Sequence, residues 1–389
     1  MERVIVISML RINDFDVSLN EKSSALFFNP QLTLFNSSQI ESLKKKLQGY
    51  PETYWFATSG STGLPKFIGL EKDSILFSAK RVNQWIGLSS NDTVGNVLPL
   101  FHVGGYAAKV RAEIAGAQWV DGSEKPWSPE EFYQLLTNHA ITVTSLVPTQ
   151  LYDLISRGFR APSKLKVLFI GGGRLSFQTF EKAQTLGWPV YSTFGMTESG
   201  SQMATVRVAN DWDEQYGPRL RFLPGVHYQE DKETARLEIQ DQSLLSYRLT
   251  YLEGAWHLEK ISKQNWFKTQ DRVKIHSDDY GEWVQILDRS DRSVKVLGEL
   301  INLDGLQQRL DHIAEDQNVD FNEFYIASVR HARKQNELIL VAGFKNSRCA
   351  QRIIREFNKC AKGIEKLSAI YHVREIPKSS LGKRRNIIF

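Results

Sequence analysis

The order of apolar and polar residues predicts strands and helices that alternate between residue 54 and about residue 195. Short apolar runs have the length of buried strands, and longer segments carry apolar residues three and four positions apart, as on one face of a helix. The predicted strands are Tyr54–Ala57, Thr93–Leu100, Ile141–Val147, Leu165–Ile170 and one that begins at Val190. The predicted helices are Ile40–Leu47, one after Asp73, Trp127–His139 and one from Ser176 to Leu186. This alternation predicts an α/β fold with a doubly wound, mostly parallel sheet, in which ligands bind at the carboxyl ends of strands.

Two of these helices begin at a side chain that suits an N-cap. Asp73 and Ser176 each stand at the start of a helical pattern, where a short polar side chain can accept hydrogen bonds from free N–H groups. The helix after Asp73 is expected to bury one apolar face. That face consists of Ile75, Leu76, Ala79, Val82, Trp85 and Ile86.

The two ends of the chain add a strand and a small domain. Val4–Leu10 is apolar but short, and Arg11 follows without a small-residue cleavage site, so we interpret it as a strand rather than a signal peptide. The last ~100 residues have the size of a small domain. Its predicted helices are Leu306–Ala314 and Cys349–Ala361, and its predicted strands are Phe324–Val329, Glu337–Phe344 and Ile370–Val373.

Composition is typical of a soluble globular protein with more than one domain. Of the 389 residues, 41% are hydrophobic and 24% are charged, and no apolar run approaches the ~20 residues of a membrane span. Cys349 and Cys360 lack paired Cys or His spacing, so we expect neither disulfides nor a zinc site, and a cytoplasmic location. A net charge of +5 fits anionic cosubstrates as well as it fits nucleic acid, and a solvated surface explains it best.

The segment after Tyr54–Ala57 has the composition of an anion-binding turn. Two glycines, four hydroxyl side chains and a lysine can surround a phosphate with N–H groups, hydroxyls and a positive charge. The Walker A pattern does not fit, and composition alone leaves a Ser/Gly-rich surface loop as the alternative. The segment is Thr58, Ser59, Gly60, Ser61, Thr62, Gly63, Leu64, Pro65 and Lys66.

Three further polar segments directly follow predicted strands. The first segment contains His102, which comes just after the predicted strand Thr93–Leu100. This position favours a role in a pocket, although a single histidine is more often structural. A triple glycine comes next and suits close backbone approach to a flat ring, but Ser176 stands where a dinucleotide fingerprint needs its third glycine. In the third segment a hydroxyl suits phosphate and a carboxylate suits a hard cation, while a helix cap is the alternative. The last two segments are Gly171, Gly172, Gly173 and Phe194, Gly195, Met196, Thr197, Glu198.

Five motifs in this order resemble those of the adenylate-forming superfamily, which includes acyl-CoA synthetases, luciferases and the adenylation domains of peptide synthetases. The likeness covers roughly residues 54 to 389, and chance is a poor explanation for five ordered matches. The motifs are Thr58–Lys66, Phe194–Glu198, Trp266–Asp271, Leu287–Gly298 and Pro377–Arg385.

The resemblance implies roles for single residues. Phe194 would stack on adenine, Thr197 would contact the α-phosphate, Glu198 would hold Mg²⁺, and Asp271 would accept both ribose hydroxyls. The implied catalytic residues are Lys66, His102, Thr197, Glu198 and Lys383. The implied nucleotide- and coenzyme-binding residues are Thr58, Ser59, Gly60, Ser61, Thr62, Gly63, Gly171, Gly172, Gly173, Phe194, Gly195, Met196, Asp271, Arg289, Lys295 and Gly298.

Within the superfamily, the nearest likeness is to the o-succinylbenzoate–CoA ligases of menaquinone synthesis. Pro99–Val103, Ser145–Leu151 and Thr269–Arg272 carry it, together with Arg111 at nine residues after His102. His102 and Arg111 are the implied substrate residues, because a second substrate carboxylate needs a charged partner and arginine can hold both oxygens. The alternative is that Arg111 pairs with a nearby acid such as Glu113.

Three features depart from the superfamily pattern. Gln270 and Asp288 stand where glycine is usual, although a Thr-Arg-Asp-Arg variant in some of these ligases makes Gln270 less unusual. Members also carry a longer segment before the first glycine loop, so we expect part of the N-terminal subdomain to be reduced.

The resemblance therefore implies an ATP-dependent acid–CoA ligase with two domains, residues 1–288 and 289–389, and a hinge at about Asp291. ATP, Mg²⁺ and coenzyme A are the expected cofactors, and o-succinylbenzoate or a related aryl acid is the expected substrate. Lys383 would serve the first half-reaction, and Lys295 with Gly298 would lie on the face used in thioester formation. No nucleic-acid partner and no membrane span are expected, and a homodimer is allowed.

Three other classes remain as alternatives. Nucleic-acid ligases adenylate a Lys-x-Asp-Gly lysine, but the nearest string, Asn302–Gly305, lacks a lysine. A non-catalytic nucleotide-binding relative would not need Glu198, Asp271 and Lys383. A carrier-loading adenylation enzyme, or another aryl- or acyl-CoA synthetase, would share every core motif.

Overall fold

The structure, a computed structural model, describes residues 4–7, 24–27, 37–58, 66–213, 216–290, 293–296, 299–331 and 335–377. These residues form a mixed α/β fold, as predicted. The helices are α1 Ser37–Leu47, α2 Lys72–Ile86, α3 Val103–Ala115, α4 Pro129–Asn138, α5 Pro148–Ser156, α6 Phe177–Thr185, α7 Leu303–Asp316 and α8 Ser347–Cys360. The strands are β1 Val4–Ile7, β2 Ser24–Phe27, β3 Thr53–Thr58, β4 Lys66–Glu71, β5 Thr93–Asn96, β6 Gln118–Asp121, β7 Val143–Leu146, β8 Val167–Ile170, β9 Val190–Met196, β10 Ser201–Arg207, β11 Trp212–Asp213, β12 Gly217–Pro218, β13 Arg221–Phe222, β14 His227–Glu230, β15 Arg236–Gln240, β16 Tyr247–Leu252, β17 Ala255–Lys260, β18 Phe267–Asp278, β19 Gly281–Arg289, β20 Ser293–Val296, β21 Glu299–Asn302, β22 Phe324–His331, β23 Gln335–Gly343 and β24 Ile370–Val373.

Within the described residues, a central sheet has the strand order β13-β10-β9-β8-β7-β5-β6. The strands from β9 to β6 in this order are parallel, whereas β10 and β13 run antiparallel to their neighbours. Parallel strands need a crossover connection, which the helices between them supply. Every residue of β8 is buried, as its continuous apolar run predicts for a parallel strand. The carboxyl ends of β5, β7, β8 and β9 therefore lie along one edge.

A second sheet, of order β1-β2-β3-β4-β16-β17, is parallel from β1 to β3 and antiparallel beyond. A third sheet, β14-β15-β18-β19, is antiparallel throughout. The apolar-run pattern misses the strands between residues 201 and 289. Strand β15 shows why, because its residues alternate between buried and half-exposed positions and so form no continuous apolar run.

Residues 296–367 enclose a separate apolar core. Its largest side chains come from α7, α8, β22 and β23, and include Leu310, Phe324, Leu340, Ile353 and Phe357. Contacts join this unit to the rest of the chain. The Gln308 side chain makes two of these contacts: its Nε2 donates to the carbonyl of Leu287 at 3.3 Å, and its Oε1 accepts a hydrogen bond from Arg174.

Several predicted element boundaries are confirmed. Ser176 caps α6 as predicted, since its Oγ accepts a backbone N–H at 3.2 Å. Ser128, for which no cap was predicted, caps α4 in the same way at 3.3 Å. Strand β9 begins at Val190 and β24 spans Ile370–Val373, as predicted. In the described part of the chain, no helix combines the length and apolar content that a membrane crossing requires.

Three predicted details are wrong. Asp73 lies inside the first turn of α2, whose N-cap is Glu71, and Trp85 leaves 39% of its surface exposed instead of joining the buried face. Strand β5 ends at Asn96 rather than at Leu100. The Asn96 side chain bonds both the N–H and the carbonyl of Leu98, at 3.1 and 2.8 Å, and so takes the place of a strand partner.

Candidate active site

The carboxyl edge of the central sheet gathers three of the predicted site segments. His102 is the N-cap residue of α3, shortly after β5, Gly171–Gly173 follow β8, and Thr197–Ser199 form a 3-10 turn after β9. Loops at this edge are where parallel α/β sheets bind ligands. The fold therefore brings together segments that lie far apart in sequence.

Two of the predicted glycines are required by close packing. A Cβ atom on Gly171 would lie 2.5 Å from Thr193 Oγ1, and one on Gly195 would lie 2.0 Å from the carbonyl oxygen of Ser201. Both distances are shorter than any real carbon–oxygen contact. Phe194, next to Gly195, is half-buried and packs against the core under the central sheet. These glycines allow β8, β9 and β10 to approach closely at the edge where the site lies.

Glu198 lies on the 3-10 turn between β9 and β10, and this turn packs on β4, the strand that begins with Lys66. Its backbone carbonyl accepts the N–H of Leu245 at 2.8 Å. The carboxylate is half-buried, and within the described residues no cation or hydrogen-bond donor is recorded against it. The same residues contain no group of three or more His, Cys, Asp or Glu side chains that could hold a metal. One open carboxylate suits Mg²⁺, which usually binds through one or two carboxylates together with substrate phosphates.

The strands around the first glycine segment form a hairpin. Thr58 at the end of β3 pairs with Lys66 at the start of β4, and its Oγ1 donates to the Lys66 carbonyl at 3.3 Å. Both side chains are half-buried. Ser59, Gly60, Ser61, Thr62 and Gly63 lie outside the described residues.

Asp271 and Arg289 form a second group, on paired strands β18 and β19. They are direct partners in the register, and Arg289 Nη1 lies 3.5 Å from Asp271 Oδ1. The Asp271 N–H donates to Thr269 Oγ1 at 3.1 Å, within β18. The Asp271 side chain is 9% exposed and that of Arg289 is 43% exposed. Two predicted nucleotide-binding residues from separate motifs, Asp271 of Trp266–Asp271 and Arg289 of Leu287–Gly298, are therefore adjacent in space.

Arg111 is buried in α3 with 6% exposure. Its guanidinium lies 5.5 Å from the centroid of the Phe169 ring, and Nη1 is 3.5 Å from Gln202 Oε1, the long limit for a hydrogen bond. In the described part of the chain no carboxylate lies within salt-bridge distance of it. Glu113, the alternative partner, pairs with Lys109 at 3.5 Å. Burial lowers the pKa of Arg111 to about 10, so the group remains a cation at neutral pH.

Sequence reasoning missed Gln202, which lies beside Arg111. Gln202 is 5% exposed on β10, and its Nε2 has no hydrogen-bond acceptor among the described residues. A polar residue at the start of the buried run Gln202–Val206 was the available signal. Arg111 and Gln202 together present buried donors with unused capacity, an arrangement that suits a carboxylate.

Besides Ser59, Gly60, Ser61, Thr62 and Gly63, four predicted site residues have no described side chain. Asp291, Gly298 and Lys383 lie outside the described residues, and Lys295 is described only as part of the backbone of β20. Their roles remain predictions from the sequence.

Comparison with known proteins gives related ligases. The chain is 32% identical over 180 residues to the 2-succinylbenzoate–CoA ligase of Staphylococcus epidermidis. The aligned residues make up 46% of this chain and 37% of that protein. It is 27% identical over 221 residues to the same enzyme of Bacillus pumilus, covering 55% and 44%. The chain thus spans less than half the length of these curated relatives.

Solved structures share the fold. The o-succinylbenzoate CoA synthetase of Bacillus subtilis with its acyl-adenylate intermediate superimposes with a TM-score of 0.75 at 16% identity, over 98% of this chain and 87% of that one. The Escherichia coli enzyme with a bound analogue gives 0.65 at 22% identity, over 82% and 64%. The sequence profile described as AMP-binding enzyme matches residues 29–229, more than half of the chain. The chain therefore belongs to the AMP-binding enzyme family.

Proposed function

We propose that this protein is an AMP-forming acid–CoA ligase and that its acid is o-succinylbenzoate. The observation that carries the substrate assignment is the buried Arg111 cation, which has no carboxylate partner among the described residues and lies beside the unused donor of Gln202. A dicarboxylic acid supplies the missing anion with one carboxylate and leaves the other to react. The names of the relatives support the same substrate.

The first half-reaction joins the acid to AMP. A substrate carboxylate oxygen attacks the α-phosphorus of ATP, and the bond from that phosphorus to the bridging oxygen breaks to release pyrophosphate. The residues of the first glycine segment, Lys66 and Thr197 would bind the phosphates, and Asp271 would accept the ribose hydroxyls. Magnesium, held by Glu198 and phosphate oxygens, would neutralise charge. Positioning and charge stabilisation are what such a transfer needs from the protein.

The second half-reaction makes the thioester. The thiol of coenzyme A attacks the acyl carbon, and AMP leaves with the electron pair of the broken bond. Residues 289–389 would form the mobile domain, and the separate core of residues 296–367 supports this division. Rotation of this domain about Asp291 would remove Lys383 from the active site and bring in the face that carries Lys295 and Gly298. With ATP and coenzyme A as cosubstrates, the cytoplasm is the expected compartment.

A panel of acids tests the proposal. Pyrophosphate release should require o-succinylbenzoate, and coenzyme A should accelerate turnover and appear in the product. Activity with coenzyme A but with a plain aryl acid preferred would indicate another acyl-CoA synthetase. Pyrophosphate release that coenzyme A leaves unchanged would indicate a carrier-loading enzyme, and no release with any acid would indicate a non-catalytic relative.

Glu198→Gln should weaken the Mg²⁺ dependence of pyrophosphate release and keep the fold. A carboxamide is neutral and a poorer ligand for a hard cation, so the half-saturating Mg²⁺ concentration should rise. Titration of Mg²⁺ at fixed ATP measures it, with Glu181→Gln, an exposed substitution on α6, as the control. An unchanged titration in Glu198→Gln would contradict the metal role.

Asp271→Ala should raise KM for ATP, because two ribose hydroxyls lose their shared acceptor. Asp288→Ala is a matched control, since Asp288 faces Arg272 one position away in the same pair of strands, with 3.1 Å between their charged atoms. Initial rates over a range of ATP concentrations measure both variants. The ribose assignment is wrong if Asp271→Ala keeps the ATP kinetics of the wild type.

A further inference from the structure

Helix α2 buries a polar face as well as an apolar one. Ser74, Ser78 and Arg81 are spaced four and three residues apart, which places them on one side of the helix, and all are at most 6% exposed. Buried polar groups are costly unless they are hydrogen-bonded. These three side chains therefore need hydrogen-bond partners from other parts of the chain.

Its partners are two loops that meet at the candidate active site. Ser78 Oγ donates to the carbonyl of Gly200 at 3.3 Å, at the end of the turn that carries Glu198. Ser74 Oγ donates to the carbonyl of Leu244, also at 3.3 Å. Arg81 Nη1 lies 2.6 Å from Asp241 Oδ2.

The segment from Asp241 to Ser246, which α2 holds through Asp241 and Leu244, in turn contacts the Glu198 turn. Asp241 Oδ1 accepts the N–H of Ser243 at 2.8 Å, which bends the segment. The Leu245 N–H donates to the Glu198 carbonyl at 2.8 Å, and the next N–H, of Ser246, bonds the Gly69 carbonyl of β4 at 2.9 Å. The turn is thus held at Gly200 by the helix and at Glu198 by this segment.

The ion pair of Arg81 and Asp241 suits positioning better than it suits stability. Their side chains are 5% and 0% exposed, and a pair buried this deeply is often no more stabilising than apolar residues of the same volume. What such a pair supplies is a fixed geometry. Here the geometry fixed is that of the turn with the candidate metal ligand.

The structure assigns Ser78 and the Arg81–Asp241 pair as positioning residues that hold the Glu198 turn for a divalent cation bound to the nucleotide. This rests on the proposed function, in which the Glu198 carboxylate is a metal ligand. None of the three side chains is expected to touch substrate.

Binding of Mn²⁺ tests the assignment without catalysis. Free Mn²⁺ is measured by electron paramagnetic resonance with the full chain and a non-hydrolysable ATP analogue, and melting temperatures are recorded in parallel. Ser78→Ala should weaken Mn²⁺ binding about five-fold, the effect of one lost buried hydrogen bond. Arg81→Lys keeps the charge but loses the planar fork, and should weaken it by a similar factor.

The control is Thr205→Val, which removes another buried hydroxyl that donates to a backbone carbonyl, that of Ser192 at 3.1 Å. It should lower the melting temperature and leave Mn²⁺ affinity unchanged. Wild-type Mn²⁺ affinity in both Ser78→Ala and Arg81→Lys, with Glu198→Gln weakened, would overturn the positioning role alone. Wild-type affinity in Glu198→Gln would overturn the metal role in the proposed function and this assignment with it.

Discussion

Replacing Lys383 by alanine is expected to slow acyl-adenylate formation by about 10²–10³-fold, the usual effect of losing one preorganised charge-stabilising donor. Thioester formation from a supplied acyl-adenylate should stay close to the wild-type rate. The reason is that Lys383, in the sequence Pro377–Arg385, matches the lysine that the superfamily uses only in the first half-reaction. Pyrophosphate release measures the first step, and AMP release from synthetic acyl-adenylate with coenzyme A measures the second.

Arg385→Ala is the matched control, because it removes a positive charge two residues away from the same basic segment. A general effect of positive charge would slow both variants alike, whereas a specific role slows only Lys383→Ala. Equal losses in both half-reactions of Lys383→Ala would show that the two half-sites do not alternate.

The sequence was informative where local chemistry decides the structure. The strand Val167–Ile170 is a continuous apolar run, and Ser176 is a side chain that caps whatever helix follows it. Such features depend on neighbours within a few residues. For the same reason, the position of the glycines after β8 and of Glu198 after β9 could be predicted before the sheet was known.

Pairing over long distances in the chain could not be predicted in the same way. Arg81 and Asp241 are 160 residues apart, and neither sequence neighbourhood indicates the other. Gln202 is likewise a partner of Arg111 only because β10 turns back antiparallel beside β9. Asp73 shows the opposite error, in which a plausible local cap was displaced by the hairpin geometry that makes Glu71 the first residue outside the helix.

The two departures from glycine in the superfamily motifs have partners in the structure. Gln270 is exposed, and its Oε1 and carbonyl both accept from Ser290 Oγ, at 2.6 and 3.0 Å. Asp288 faces Arg272 at 3.1 Å, and burial raises the pKa of the Asp288 carboxyl. The first contact joins β18 to Ser290, the residue after β19, and the second joins β18 to β19; both lie beside the Asp271–Arg289 pair. The substitutions therefore add contacts across these strands and leave the predicted ribose-binding residue in place.

The buried charge of Arg111 is expected to lower the stability of the folded chain when no acid is bound. In the folded chain its pKa is lowered to about 10 by burial, so the protonated group is disfavoured there relative to the unfolded chain, and this cost is present at neutral pH. Arg111→Leu should therefore leave the melting temperature unchanged or raise it in the absence of acid. Added o-succinylbenzoate should stabilise the wild type and not the variant, as thermal melts with and without the acid would show.

The same substitution should change substrate choice. Arg111→Leu is expected to lose activity on o-succinylbenzoate and to improve relative to it on benzoate, because only the first acid needs a partner for a second carboxylate. Loss of a charged partner to a desolvated carboxylate should cost about 2–5 kcal/mol of transition-state binding, measured as the ratio of kcat/KM for the two acids. Arg111→Lys, which keeps the charge without the planar fork, should fall between wild type and leucine. Equal losses on both acids, together with a lower melting temperature, would show that Arg111 supports the fold, and the choice of o-succinylbenzoate would lose its main physical argument.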